Sequence, residues 1–279
     1  MKELGQNRRI IDVVLIAGVI IGFIIVSVPV VSDVLATQAV TNAISRGDQN
    51  ISSQPEEWKA NLLANARKYN EYYTTDVNMD AQSILPYEEQ LKCSEDGMMG
   101  WLEIDKINLV STIYHGTDET SLASGAGHLE GTSLPVGGPG THSVISAHSG
   151  SMTSRMFDDI RDLKSGDIVT LHVLGDELNY KVYGTEVFLP EEVQPHISVE
   201  QGRDLLTLLT CTPYGVNTHR LLVHAERTSE TIEKDSFVED IQESINSRTM
   251  PALIIAGIGA GVLIALEMAR RRRRICRQT

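Results

Sequence analysis

Thr207-Leu208-Leu209-Thr210-Cys211-Thr212-Pro213-Tyr214-Gly215-Val216-Asn217-Thr218-His219-Arg220-Leu221-Leu222-Val223 is two apolar β-type runs on either side of a turn. The first run ends at a cysteine and is stopped by proline. The second opens on His219-Arg220, after a loop of about eight residues. Folded as a hairpin, the pair sets Cys211 across from Arg220 near its open end. A guanidinium beside a thiol favours the thiolate. It keeps its charge at any working pH and offers several fixed donors to an oxyanion forming at an attacked amide. By itself a cysteine on an apolar strand reads first as a small buried hydrophobe.

Working outward, the same texture of short β-like runs between Gly, Asp and Pro extends over Gly100–Ile104, Val110–Tyr114, His142–Ala147, Asp167–Leu174, Leu178–Leu189, Leu205–Cys211 and Arg220–Glu226. Seven or eight runs with few helices between them predict a mostly β fold, a closed barrel or a sandwich. Met152–Asp162 and Ser198–Arg203 are the stretches suited to short helices. Upstream, Val34–Tyr73 reads as helix, with Trp58, Leu62, Leu63, Ala66 and Tyr69 spaced for one face and Ser53-Gln54-Pro55-Glu56-Glu57 as a helix start. Thr74–Gly97 is polar and turn-rich and reads as a mobile segment covering or joining the main domain.

Acyl transfer also needs an imidazole, to protonate the leaving amine and later deprotonate the incoming one. Of the eight histidines, His148 ends the run His142-Ser143-Val144-Ile145-Ser146-Ala147 and enters a loop at Ser149-Gly150. His219 adjoins Arg220 and so points to the opposite face. His115, His128, His142, His172, His196 and His224 read as structural or surface residues.

Charge and hydropathy give the topology. The 279 residues carry a formal charge of -13, which argues against non-specific nucleic-acid binding. Lys2, Arg8 and Arg9 precede one apolar run, Ile10–Val31. Arg270–Arg274 and Arg277 follow a second, Met250–Met268. Between these ends the chain is near -19, holding 34 of the 37 acids but only 15 of the 24 cations. Each run approaches the ~20 apolar residues that cross a bilayer as a helix. Cations on both outer flanks place both termini in the cytoplasm and residues of roughly 35 to 248 outside. The first run also admits reading as a cleaved signal, with small residues at Ala36 and Ala39. Cys93, Cys211 and Cys276 are too few for a disulfide scaffold; the outer side holds at most one pair, Cys93 with Cys211.

The chain resembles the sortase family, and within it the class C, pilin-polymerising branch. The resemblance covers roughly Gly97–Arg227. Thr207-Leu208-Leu209-Thr210-Cys211 matches the family's TLxTC signature, and Thr212–Val223 is similar to the class C continuation almost letter for letter. Ile113-Tyr114-His115-Gly116-Thr117, Gly127–Pro135 and Thr141-His142-Ser143-Val144 match as well. The resemblance implies a sortase-type closed barrel of about eight strands with short helices, to which the pattern of the rest of the chain adds an N-terminal helical segment and two transmembrane helices. It sets Cys211 on the nucleophile, His148 on the catalytic histidine and Arg220 on the catalytic arginine, with no cofactor and no metal. It implies cleavage of an LPxTG-like sorting signal at Thr–Gly, a thioester acyl-enzyme, and transfer to a pilin lysine amine at the cell membrane. The alternative within the family is a housekeeping enzyme that anchors surface proteins to peptidoglycan precursor.

The expected organisation is an N-terminus and anchor over 1–33, a helical and lid-like segment over 34–97 and the catalytic barrel over 98–229. A linker over 230–248, a second anchor over 249–269 and a basic tail over 270–279 complete it. Two departures stand out. Class C enzymes carry a lid with an Asp-Pro-aromatic motif; here Thr74–Gly97 has no Asp-Pro, Pro86-Tyr87 is the nearest pair, and Asp80 is the candidate to meet Arg220. Ser149 replaces the usual basic residue after His148.

Overall fold

The computed structural model describes residues 2–74, 80–94, 96–150 and 156–230. The chain divides into two compact units, Gln38–Glu233 and Met1–Thr37 with Lys234–Thr279. Of the second, the described part is the start of a helix, α1 (Lys2–Ser53). The candidate span Ile10–Val31 lies in α1, and many of its side chains fall outside the description. The candidate Met250–Met268, the linker beyond residue 230, the basic tail and Cys276 lie outside the described residues altogether. Among the described residues, no helix is long and apolar enough to cross a membrane.

Eight strands close a barrel: β1 (Met98–Ile104), β2 (Leu109–His115), β3 (Ala126–His128), β4 (Thr141–Ser146), β5 (Ile168–Val173), β6 (Asp176–Phe188), β7 (Asp204–Thr212) and β8 (His219–Arg227). Around the barrel they run β1-β2-β3-β4-β7-β8-β6-β5. Two of the pairings, β2 with β3 and β4 with β7, are parallel. The period-2 alternation of the sequence sorts residues between the faces. Leu102 and Ile104, Val169 and Leu171, Leu206 and Leu208, Leu221 and Val223 fill one interior cluster. Leu102, Ile104, Val169, Leu171, Leu206, Leu208 and Val223 have no exposed surface, and each such side chain contributes about 2 kcal/mol relative to exposure.

The N-terminal segment completes that core. Helix α2 (Glu56–Thr74) starts at the acids that follow Pro55, and it buries Ala66 and Tyr69 in the same cluster as the barrel interior. The polar look of Thr74–Gly97 hides four buried side chains among its described residues, Tyr87, Gln90, Leu91 and Cys93. Its described part is therefore packed rather than loose. The Tyr87 hydroxyl lies 2.9 Å from His128 Nδ1, donates to the His128 carbonyl at 3.0 Å and accepts from Gly116 N–H at 2.9 Å. His115 Nε2 and Nδ1 sit 2.6 and 2.9 Å from the Gln90 and Gly97 carbonyls. His128 has no exposed surface, and burial holds its imidazole down at about 4.

β3, which is not among the named runs, is a strand of three residues, too short and too glycine-rich to show alternation. The two stretches expected to form short helices differ from that expectation. Ser198–Arg203 is not helical; the short turns come earlier, at Pro190–Glu192 and Gln194–Ile197, where Pro190 and Pro195 supply the fixed φ of a first turn. Of Met152–Asp162, residues 152–155 lie outside the described residues, and the rest is a turn that ends in the short helix Ile160–Asp162.

Candidate active site

β7 and β8 form the hairpin expected from the opening stretch, with a turn over 213–218. Its register pairs Cys211 directly with Arg220, Leu209 with Leu222 and Thr207 with His224. Directly opposed residues share a face of the sheet, so these three pairs form a column on the outer surface of the barrel. Valine, proline and asparagine finish the turn: Val216 and Asn217 N–H both donate to the Pro213 carbonyl at 3.0 Å, and Asn217 takes the left-handed φ of 60° that asparagine tolerates.

β4 brings in the imidazole. It pairs in parallel with β7 up to Ser146 opposite Leu209, and the chain beyond it stays against β7. Ala147 N–H donates to the Leu209 carbonyl at 3.2 Å. The Thr210 hydroxyl donates to the Ala147 carbonyl at 2.8 Å, and the Ser149 hydroxyl to the Cys211 carbonyl at 2.5 Å. Two residues past the last pair, His148 thus falls level with Cys211. Its own carbonyl accepts from Phe157 N–H at 3.1 Å, and Gly150 N–H donates to Asp158 Oδ1 at 2.6 Å. Gly150 turns the chain at φ 83° and lies against Tyr214 and Gly215 of the hairpin turn.

His148, Cys211 and Arg220 therefore stand side by side on three adjacent strand ends, all partly exposed. Arg220 Nη1 donates to the carbonyls of Asn217 and His219 at 3.2 and 3.1 Å, which holds the guanidinium at the turn. Among the described residues no carboxylate forms an ion pair with it. Asp80 is not its partner: the Asp80 carboxylate accepts from Gln82 N–H at 3.0 Å and caps the turn Ala81–Ser83. Asp80 is spent locally because an Asp two residues ahead of a free N–H captures it readily. His219 lies 2.9 Å from the Thr218 hydroxyl.

Cys93 and Cys211 are both free thiols. They differ in kind. Cys93 is fully buried, donates to the Met99 carbonyl at 3.4 Å, and is pushed up to about 12 by burial, so it stays a protonated thiol. Cys211 is partly exposed at a strand end. A cleft of about 730 Å³ opens at the opposite ends of β4 and β7, between α2, the Val136–Thr141 loop and Arg227; it contains none of the three aligned residues.

Sequence reasoning gave Thr210 and Ser149 no part in holding this edge in place, and it missed the β6–β7 connection packed beside it. Val193 and Ile197 of that connection pack on Val144, Leu209, Leu222 and Phe188. Phe188 is the register partner of Arg220 on β6. Thr207, with the parity of Cys211, and His224, with the parity of Arg220, were legible signs of further polar residues on this face.

Comparisons with known proteins bear on the same segment. The model of the sortase domain matches residues 102–228. Sortase A of Bacillus anthracis is 26% identical over 137 residues, which cover 49% of this chain and 63% of that protein; the match spans just under two thirds of this curated relative. The crystal structure of sortase C1 from Streptococcus agalactiae is 38% identical, covers 68% of this chain and 100% of its own, and superposes with a TM-score of 0.63. Sortase C of Streptococcus pneumoniae, whose structure is described as informing catalysis and pilin substrate specificity, is 36% identical with a TM-score of 0.61, over 69% of this chain and 100% of its own. With its barrel, its aligned cysteine, histidine and arginine, and these likenesses, the chain belongs to the sortase family of cysteine transpeptidases and is similar within it to class C sortases.

Proposed function

We propose that the chain is a cysteine transpeptidase acting on an LPxTG-like sorting signal, with Cys211 as nucleophile, His148 as acid and base, and Arg220 as electrostatic stabiliser. The observation that carries this reading is the register that brings Cys211 level with Arg220 on β8 and with the end of β4 that leads to His148. The Cys211 thiolate attacks the threonine carbonyl of the Thr–Gly bond. Arg220 donors hold the oxygen as it gains charge, and His148 delivers a proton to the departing glycine amine. The thioester left on Cys211 is then attacked by an amine, whose proton returns to His148 as the thiolate leaves.

The acceptor amine in this reading is a lysine side chain of a pilin, which makes the reaction a polymerisation. The likeness to sortase C of Streptococcus pneumoniae, described with reference to pilin substrates, supports it. We also place the catalytic unit outside the cell and the chain at the membrane, on the basic flanks of the two apolar runs and the acidic charge between them. A shared membrane surface raises the effective concentration of enzyme and acceptor. Mass spectrometry of products made with candidate pilins tests the acceptor. A lysine isopeptide link is expected; transfer only to a peptidoglycan-like amine would replace polymerisation with cell-wall anchoring.

A further inference from the structure

Four residues before Cys211 on the same face of β7, about 13 Å along the strand, Thr207 stands between two buried imidazoles. Its Oγ1 is 2.7 Å from His142 Nε2 on β4 and 2.9 Å from His224 Nδ1 on β8. His142 Nδ1 lies 2.9 Å from the Ser198 carbonyl. With both rings neutral, these partners fix the protons between them. A carbonyl only accepts, so His142 Nδ1 carries hydrogen and its Nε2 is a lone pair. The single hydroxyl proton of Thr207 goes to that lone pair, and the Thr207 oxygen accepts from His224 Nδ1–H. The chain ends at His224 Nε2, which is buried without a hydrogen-bond partner and faces Glu186 Oε2 at 3.6 Å. Burial lowers both His142 and His224, which keeps the sequence of donors intact.

The relay ties together the three strands that carry the site and the wall beside it. Ser198 belongs to the β6–β7 connection, whose His196 stacks on Phe188 at 3.7 Å between ring centres and lies 3.8 Å from Glu186. Phe188 is paired with Arg220. Val193 and Ile197 would hold the connection down by apolar contact alone, but such contact does not fix its position along the sheet. A buried hydroxyl between two rings costs more than an apolar side chain unless each donor meets its acceptor, so the relay is satisfied in one alignment only.

We propose that His142, Thr207 and His224 are positioning residues that lock the β6–β7 connection, as a wall of the substrate site, to the strands bearing Cys211 and Arg220. The proposal rests on the transpeptidase reading for its effect on substrate, and on geometry alone for its effect on the wall. Thr207→Val keeps the shape and deletes the hydroxyl; Thr207→Ser keeps the hydroxyl. His224→Leu breaks the relay from the other side, while His224→Asn puts an amide donor where Nδ1 was. In the full chain, amide hydrogen exchange over 189–203 is read without substrate, then KM and kcat with an LPxTG-type peptide.

Thr207→Val and His224→Leu are expected to speed exchange in 189–203 about tenfold and raise KM by about as much, with kcat within about twofold. Thr207→Ser and His224→Asn are expected to match the wild type. Unchanged exchange in Thr207→Val, or equal impairment in Thr207→Val and Thr207→Ser, would overturn the proposal. Opened exchange in variants of a chain whose wild type ignores the peptide would instead sustain the lock and remove the transpeptidase reading. Should Thr207→Val not fold, the contrast between His224→Leu and His224→Asn decides on the same readouts.

Discussion

Acidification should act on this fold through His128 in particular. The ring is buried between Tyr87 and Ser133, with Nδ1 2.9 Å from the Tyr87 hydroxyl and Nε2 2.9 Å from the Ser133 carbonyl. Desolvation lowers its pKa from 6.5 to about 4. The unfolded chain therefore takes a proton as pH falls through 6.5, while the native chain does so only near 4. His128 contributes its full stability above pH 6.5 and loses it between 6.5 and 4. The whole window is about 3 kcal/mol, of which about 2 kcal/mol is gone by pH 5. Burial also lowers His142 and His224, so the wild-type slope is shared and a variant is needed to isolate one group. His128→Gln keeps an amide donor toward Ser133 and removes the titration. Urea unfolding of the chain at pH 7 and pH 5 can be followed by tryptophan fluorescence, since both tryptophans, Trp58 and Trp101, lie in the Gln38–Glu233 unit. Between the two pH values the variant should lose about 2 kcal/mol less stability than the wild type. Equal losses would refute the reasoning, whatever the absolute stability of the variant.

Three other substitutions probe separate parts of the account. Asp204 lies at the start of β7, far along the strand from Cys211, and accepts from Gly138 N–H at 2.8 Å and the Tyr180 hydroxyl at 2.9 Å; Asp204→Ala should cost about 2–4 kcal/mol of stability in urea unfolding, leaving thioester formation by the folded fraction unchanged. Arg220→Lys keeps the charge but not the donor fork, and should lower the acylation rate about 100-fold in stopped-flow measurements with little change in unfolding midpoint. Ser149→Ala frees the Cys211 carbonyl from the β4 extension; kcat/KM should fall about fivefold, and an unchanged value would mean that this tie does not align His148 with Cys211.

The outline of the fold was legible because the barrel strands alternate. Leu206 and Leu208 point in, Leu209 and Cys211 point out, and the Cys211–Arg220 pairing follows from the proline-stopped run and the turn after it. What pairs with what across the barrel was not legible. The parallel pairing of β4 with β7 joins residues some 60 positions apart, and it alone sets His148 beside Cys211; from spacing, His148 was one strand-end histidine among eight. β3 was hidden by its brevity. The segment before the barrel was hidden by its charge, since Glu88 and Glu89 directly follow the buried Tyr87 and give no apolar period to read. Asp80 drew attention as the acid of the lid-like segment that could meet Arg220, but a local backbone N–H claims it first.

Cys211 is where the account stands or fails. Incubated with an LPxTG-type peptide and no amine, the full chain should gain the mass of the acyl fragment, mapped by peptide mass spectrometry to Cys211 as a hydroxylamine-labile thioester. Cys211→Ala should gain nothing, and Cys93→Ala should be acylated like the wild type. Acylation of Cys211→Ala, or labelling at Cys93, would contradict the assignment.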